Sequence, residues 1–149
     1  MPREVVIDPG WKWDKDFPLA QGLKLGNLMF LSGQVALDSN GRVIGKGDLR
    51  AQTRQVFENI ELILGKAGGS LQDIVKMTTY FTCKLSPKRT RQYFEVRREY
   101  FKNHRPASTG VQVSALVDKD LLLEVEVMAV LRSKRAGLQR SANRSRVRS

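Results

Sequence analysis

Hydrophobic and polar residues alternate along residues 121–131, LLLEVEVMAVL, in the pattern typical of a central β-strand. Successive side chains of a strand point to opposite faces, so each face takes every second residue. One face carries Leu123, Val125, Val127 and Ala129, and the other carries Leu122, Glu124, Glu126, Met128 and Val130. The two carboxylates therefore face the same way, roughly 7 Å apart along the strand. Because burying an unpaired carboxylate is costly, this face must meet water, a cation or a ligand; a solvated face or a structural ion pair would satisfy the same pattern.

The first half of the chain predicts a hairpin followed by a helix. The residues from Leu23 to Val35 form a largely apolar run that predicts a strand, and the turn-prone residues 38–41 follow it. Residues 42–44 can pair back as a short second strand. Asp48 is a good N-cap for an amphipathic helix that runs to about Ala67, where two glycines stop it.

The second half repeats the alternation of strand and helix. Residues 74–83 alternate as a strand, with Val75, Met77, Thr79 and Phe81 on one face. Ser86 and the proline after it begin a second helix that ends near residue 102. Residues 109–116 predict a further strand, and residues 118–120 predict the turn before the final one.

The predicted order is β-β-α-β-α-β-β, which indicates an α+β domain with both helices on one face of a mixed sheet. We expect the helix-covered face to take Val75, Met77, Phe81, Val125 and Val127. The other face mixes carboxylates with apolar side chains, and no helix of the chain covers it. Such a face is a natural surface for another copy of the protein, so self-association is predicted on this ground alone.

The length predicts a single domain. Two prolines and a glycine interrupt residues 1–17, which we expect to form an N-terminal arm, either irregular or a short edge strand, and we expect residues 18–131 to form the folded domain. The large aromatics Trp11, Trp13 and Phe17 must pack on the core, on a neighbouring subunit or beside a ligand, and we expect packing.

The charge of the chain is concentrated at its end. The sequence holds 26 Lys and Arg against 15 Asp and Glu, a formal charge of +11, and seven of the basic residues follow Leu131. Residues 1–131 carry 19 basic and 15 acidic residues, a surplus of +4 that is not by itself a nucleic-acid footprint. We interpret residues 132–149 as a disordered, solvated tail, with binding of RNA or another polyanion as the alternative.

Composition also argues against several classes of protein. One cysteine allows no intramolecular disulfide, and one histidine without a cysteine pair lacks the usual zinc spacings, so no metal is expected. The chain has no signal-peptide pattern and no apolar run long enough to span a membrane. A soluble, cytoplasmic protein without a membrane partner is therefore predicted.

Five strings, GNLMFLSGQV, DLRAQTRQVFENI, IVKMTTYFT, PASTGVQVSAL and LLLEVEVMAVL, together resemble the RidA/YjgF family of reactive-intermediate deaminases. The resemblance covers about residues 18–131. It implies a chorismate-mutase-like α+β fold, assembled as a homotrimer around a central β-barrel. It also implies small-molecule sites in the clefts between subunits. That assembly agrees with the uncovered sheet face inferred from the residues.

The resemblance also implies a chemistry, the hydrolysis of enamines and imines such as 2-aminoacrylate to ketoacids and ammonia, without a cofactor. The family's water-orienting glutamate matches Glu124, and its Ser-Gly-Gln turn, which offers backbone groups to the substrate, matches Ser32, Gly33 and Gln34. The family's carboxylate-binding arginine follows a Pro-Ala pair, where this chain has Ser108.

Further departures from the family pattern lie around this pocket. A common tyrosine is Leu19 here, and a common asparagine is Phe94. Arg105 lies three residues before Ser108, so on an extended strand it leaves the opposite face and does not substitute for the arginine. Ser108 and Thr109 are then the expected polar contacts of a substrate other than the usual small 2-iminoacid.

Three functions follow from these residues. The first is a cofactor-independent imine or enamine hydrolase that acts on a larger or differently anchored substrate. The second is a non-catalytic trimer that binds a small molecule after losing the arginine. The third is interaction with RNA through the basic tail.

Overall fold

A seven-stranded mixed sheet carries two helices on one face in the computed structural model, which describes residues 1–132. The strands are β1 (Glu4–Ile7), β2 (Gly22–Leu25), β3 (Leu28–Leu31), β4 (Gln34–Val35), β5 (Ile74–Phe81), β6 (Ala107–Gln112) and β7 (Leu123–Val130). The helices are α1 (Leu49–Lys66) and α2 (Pro87–Phe101), and a short 3₁₀ helix (Leu71–Asp73) precedes β5.

The strand order is β1-β2-β3-β7-β5-β6, and β4 pairs with β7 beyond the end of β3. The pairing of β5 with β6 is parallel, whereas the other pairings are antiparallel. The predicted α+β class, with two helices on one face of a mixed sheet, is confirmed. Strand β6 lies at one edge and is exposed at every residue, so its outer backbone groups are free to pair with another chain.

The prediction of a single strand from Leu23 to Val35 is wrong. The chain reverses at Gly26 and the asparagine after it, so β2 and β3 form a tight hairpin in which Leu25 pairs with Leu28. Gly26 has a φ of +62°, the conformation that such two-residue turns require and that glycine adopts without strain. Residues 42–44 are not a strand either; they contribute a single bridge between Leu37 and Val43.

The helix-covered face contains Met77, Phe81, Val125 and Val127 as predicted, and all four are buried. The prediction for Val75 is wrong, because 48% of its surface is exposed and its neighbour Ile74 is fully buried. The register between β5 and β7 shifts between residues 74 and 76, so a bulge reverses the alternation at the start of the strand.

Both predicted helices begin and end close to the expected residues. The side chain of Asp48 accepts a hydrogen bond from the Ala51 N–H, and that of Ser86 accepts one from the Arg89 N–H. Phe57 of α1 then packs its ring 5.2 Å from the ring of Phe101 in α2, centroid to centroid. The helices therefore share one apolar layer above the sheet.

The N-terminal segment contains a short edge strand, β1, one of the two alternatives that the sequence allowed. Trp11 is buried in the core, and its ring stacks on that of Trp13 with 5.6 Å between centroids. The domain boundaries at residues 17 and 131 stay predictions. The predicted basic tail, and with it the RNA alternative, lies from residue 133 onward outside the described residues.

Within residues 1–132 no helix is long and apolar enough to cross a membrane. The open face of the sheet carries several exposed apolar side chains: Val6, Leu25, Leu28, Phe30, Val111 and Met128. In one chain the sheet stays open, since β1 and β6 lie at opposite ends of the strand order. The homotrimer remains a prediction.

Candidate functional site

Glu124 lies on β7 and points to the open face of the sheet, as the alternation of the strand predicted. Its neighbours Leu123 and Val125 are fully buried on the helix face. Burial, followed by repulsion from Glu126, raises the pKa of the Glu124 carboxyl above its ordinary value. A carboxyl group whose pKa is raised is a stronger base when ionised than an ordinary glutamate, which suits it to accept a proton from water.

Gly33 lies directly against this carboxylate. A Cβ built on Gly33 would overlap Oε1 of Glu124 and would lie 2.6 Å from its Cδ. The absence of a side chain is therefore what allows the carboxylate to occupy its position beside the turn. The structure thus brings two of the predicted site residues into direct proximity.

Ser32 and Gln34, on either side of Gly33, hold the turn in place. The Ser32 hydroxyl donates to the carbonyl oxygen of Ala20 at 2.6 Å. The amide of Gln34 donates to Oε1 of Gln21 at 2.8 Å, and Gln21 donates in turn to Asp14 at 2.8 Å. Because Gln34 and Gln21 are buried, these bonds satisfy groups that have little access to water. The side-chain donors of both predicted contact residues are therefore used in hydrogen bonds within the protein.

The second carboxylate of the strand, Glu126, differs from Glu124 in having a partner. The hydroxyl of Tyr80 donates to Oε1 of Glu126 at 2.7 Å, which raises the pKa of Tyr80. Among the hydrogen bonds of residues 1–132, none ends on the Glu124 side chain. The strand thus has one carboxylate with a partner and one that remains available to a ligand or a water.

Ser108 and Thr109 lie on opposite faces of the sheet. Ser108 pairs with Met77 in the parallel ladder and therefore points to the helix face. Thr109 points to the open face, where its hydroxyl accepts a hydrogen bond from Lys76 Nζ at 2.8 Å. The side chains of the two residues expected to act together at the substrate therefore leave β6 in opposite directions.

An arginine that the sequence interpretation did not assign lies beside Ser108. Nη2 of Arg97, on α2, donates to Oγ of Ser108 at 2.5 Å, and that hydroxyl donates to the carbonyl oxygen of Pro106 at 2.8 Å. One signal for this position was available, since Arg97 follows the inward-facing Tyr93 by four residues on the same helix. A guanidinium therefore reaches the position of Ser108 from the helix.

A pocket of about 200 Å³ opens between α2, β5 and β6 next to this arginine. Its surface is mainly apolar, with one guanidinium and five hydroxyl-bearing residues: Thr79, Thr90, Tyr93, Ser108 and Thr109. The residues that matter for its chemistry are Phe81, Leu85, Tyr93, Phe94, Arg97 and Ser108. A small molecule with one anionic group and one apolar group would suit this lining.

A wider cleft of about 480 Å³ lies where the two helices begin, away from every predicted site residue. Two of its charged side chains are already engaged, because Asp48 caps α1 and Arg50 pairs with Glu95 at 2.6 Å. We therefore place the candidate site elsewhere, despite the greater volume of this cleft.

Five of the six predicted residues, together with Phe94 and Arg97, form two groups, and the side chain of Thr109 belongs to neither. We call Ser32, Gly33, Gln34 and Glu124 the glutamate half, and Phe94, Arg97 and Ser108 the arginine half. Glu124 and Ser108 point to opposite faces of one sheet, with β5 between their strands. Within one chain the two halves cannot contact the same small molecule. Among residues 1–132, no group of His, Cys, Asp and Glu side chains has an arrangement that could hold a metal ion.

Comparison with known proteins gives one family match, which covers residues 15–131 and is described as endoribonuclease L-PSP. The chain is also 36% identical to the 3-aminoacrylate deaminase RutC of Acinetobacter baylyi over 129 residues. This alignment covers 87% of the chain and 98% of RutC.

Two solved structures have closely similar folds. Rv2704 from Mycobacterium tuberculosis, a member of the YjgF/YER057c/UK114 family, superposes with a TM-score of 0.73 at 29% identity, over 87% of this chain and 100% of that one. E. coli TdcF with bound serine superposes with a TM-score of 0.68 at 36% identity, over 78% of this chain and 89% of that one.

Proposed function

The chain belongs to the endoribonuclease L-PSP family, the RidA/YjgF family that its sequence resembles, and from this membership we propose a cofactor-independent imine or enamine hydrolase. The similarity to a 3-aminoacrylate deaminase supports this choice, because that name describes the removal of an amino group from a small enamine acid. The substrate of the present chain is expected to differ from the usual small 2-iminoacid.

The observation that carries the proposal is the partly buried carboxylate of Glu124 against Gly33. Glu124 has no hydrogen-bond donor within residues 1–132, and its pKa is raised by burial and by Glu126. A structural carboxylate at such a position would normally be paired, as Glu126 is with Tyr80. An unpaired one is available to position a water molecule.

The reaction requires proton transfer and one water molecule. An enamine first takes a proton on carbon and becomes an iminium ion, whereas an imine is protonated on nitrogen. Ionised Glu124 accepts a hydrogen bond from water and takes its proton as the oxygen bonds to the iminium carbon. Protonated Glu124 returns its proton to the nitrogen of the resulting carbinolamine. The hydroxyl proton is lost to solvent as the C=O bond forms, the C–N bond breaks, and ketoacid and ammonia leave. Water supplies every atom that the substrate gains.

A complete site on this proposal requires two copies of the chain. The arginine half lies beside β6, an edge strand, and the glutamate half lies on the uncovered face, so a neighbouring copy could bring the two halves together. The exposed apolar residues of that face, including Phe30 and Met128, would be buried by the same contact. This is the basis on which we propose a homotrimer with intersubunit clefts.

The test follows ketoacid release from 2-iminobutanoate and from imines with larger apolar side chains, generated in place by an amino-acid oxidase. The wild type is expected to accelerate the hydrolysis of at least one imine over buffer. Glu124→Ala should reduce the rate about 10²- to 10⁴-fold, the range typical for loss of a general base. Glu61→Gln, on the exposed side of α1, is the matched control and should keep the wild-type rate.

A second candidate is a trimer that binds a small molecule without converting it. It is favoured by the replacement of the family's arginine with Ser108, whose hydroxyl is engaged with Pro106 and Arg97. It predicts thermal stabilisation by a carboxylate ligand with no acceleration of any imine in the panel. Such a result would reject the hydrolase and leave the binding protein.

A further inference from the structure

Arg97 is held in a defined position from two directions. Its guanidinium carbon lies 5.9 Å from the ring centroid of Phe94 and 5.6 Å from that of Phe101, within the range of cation–π contacts. The hydrogen bond to Ser108 adds a fixed direction in the plane of the guanidinium. A guanidinium oriented in this way loses little further freedom when it binds an anion.

The charge of Arg97 is not compensated by the acidic residues around it. Glu95 and Glu99, on the same helix, pair with Arg50 at 2.6 Å and Arg54 at 3.0 Å on α1. Among the ion pairs within residues 1–132, none includes Arg97. A guanidinium has five N–H donors, and the contact with Ser108 uses one of them, so donors remain for a two-pronged bond to a carboxylate.

The hydroxyl of Ser108 is not itself a free donor. It gives its proton to the carbonyl oxygen of Pro106 and accepts from Arg97, so its role is to hold the arginine. This arrangement depends on a small side chain on β6. An arginine at the same position would replace this hydrogen bond with repulsion between two positive charges.

The rest of the pocket selects against polar ligands. Phe81, Leu85 and Phe94 contribute apolar surface, and the Tyr93 hydroxyl is already bonded to Thr79 at 2.9 Å. Apart from Thr90 and Thr109, this lining offers few partners to a hydrated side chain that loses its water, whereas a branched or aromatic side chain would gain contact area.

We propose that Arg97 is the carboxylate-binding residue of this protein and that its pocket takes monocarboxylates with a compact branched or aromatic side chain. This inference rests on the proposed function, because it assigns the anchor and the substrate class of the same site. It moves the anchor from the strand to the helix and makes Ser108 a positioning residue.

The test measures binding by isothermal titration calorimetry, with 4-methyl-2-oxopentanoate and phenylpyruvate as probes and the primary amide of each as the uncharged comparison. For Arg97→Gln we expect carboxylate affinity to fall about ten- to a hundredfold, because a charge-assisted bond is lost. Arg97→Lys should recover part of the loss, since it retains the charge but not the two-pronged geometry. The control is Arg98→Gln, an exposed arginine next along the helix, which should bind as the wild type does.

The amide comparison separates anchoring from damage to the fold. If Arg97→Gln merely disturbed the pocket, carboxylate and amide would weaken together. The proposal requires instead that the preference for carboxylate over amide disappears while amide binding stays within about twofold. Equal carboxylate affinities in Arg97→Gln and wild type would overturn it, as would a joint loss of both ligands.

The same measurements distinguish this inference from the proposed function. Binding that depends on Arg97 without imine turnover would reject the hydrolase and retain the anchor. Turnover that depends on Glu124, with an unchanged KM in Arg97→Gln, would retain the hydrolase and reject the anchor. A third probe, 2-oxobutanoate, should bind more weakly than 4-methyl-2-oxopentanoate if the apolar pocket determines the side-chain preference.

Discussion

The two halves of the candidate site are built in contrasting ways. The glutamate half is assembled from a tight turn and one strand, and a partly buried chain of hydrogen bonds from Asp14 through Gln21 to Gln34 supports it. The arginine half joins an exposed edge strand to a helix through the hydrogen bond between Arg97 and Ser108. The glutamate half depends on close packing around the turn. The arginine half depends on the positions of α2 and β6, which are set by contacts between residues distant in sequence.

On the proposed function, this difference would let a family site change its ligand while keeping its reaction. The turn and carboxylate tolerate little variation, because a single Cβ at Gly33 would occupy the place of Glu124. The anchor is less constrained, because any element that reaches the pocket with a guanidinium can bind a carboxylate. We expect substitutions to be severe in the glutamate half and graded in the arginine half.

The largest effect is expected from Gly33→Ala, which places a methyl group where the Glu124 carboxylate lies. Imine turnover should fall at least about a hundredfold, and overpacking should lower the free energy of unfolding by about 1–3 kcal/mol. Chemical denaturation and the imine assay measure the two effects. Gly65→Ala is the matched control, since nothing lies within 4 Å of its Cβ and it should stabilise α1 by roughly 0.5–1 kcal/mol. Wild-type turnover in Gly33→Ala would contradict the assignment of Glu124.

A smaller but still structural effect is expected from Gln34→Ala. It leaves the buried side chain of Gln21 without its partner, at a cost of about 1–3 kcal/mol in unfolding free energy. Urea denaturation gives the value, and turnover should fall because the turn beside Glu124 loosens. An unchanged denaturation midpoint would show that the network contributes little to the rigidity of the glutamate half.

The pH dependence of turnover tests the electrostatics of the same half. Glu124 acts in its ionised form, and its pKa is raised mainly by burial and additionally by Glu126. As the pH decreases, activity should therefore fall at a higher pH than it would with an ordinary glutamate. Glu126→Gln removes the second cause, and the acidic limb of the profile should move to lower pH.

The raised pKa also means that ionised Glu124 opposes folding. Its unfavourable contribution develops as pH rises through that pKa, so Glu124→Gln should raise the melting temperature slightly at pH 7. An unshifted acidic limb in Glu126→Gln would argue that another group controls the profile.

The mildest change is expected from Ser108→Ala in the arginine half. Arg97 keeps its contacts with Phe94 and Phe101 but loses one directing bond, so carboxylate affinity should fall only about two- to tenfold. Titration calorimetry with 4-methyl-2-oxopentanoate measures it. A loss as large as that of Arg97→Gln would mean that Ser108 contacts the ligand directly, which would revise its role from positioning to binding.

Much of this protein could be predicted from local sequence patterns. Both helices, their N-caps at Asp48 and Ser86, and the direction of Glu124 follow from signals that span a few residues. The failures were also local in origin. The reversal at Gly26 interrupts an otherwise continuous apolar run, and the bulge beside Val75 shifts an alternation that the sequence alone presents as regular.

By itself, then, the sequence determined the fold class, the family and the face of the sheet to which Glu124 points, because these depend on periodicity and on short contiguous motifs. Only the tertiary structure decided that Ser108 and Thr109 face apart and that Arg97 meets Ser108. The parallel register of β5 and β6 sets the first, and the packing of α2 on the sheet sets the second. Both depend on contacts between residues distant in sequence, and no local pattern predicts which side chains these contacts bring together.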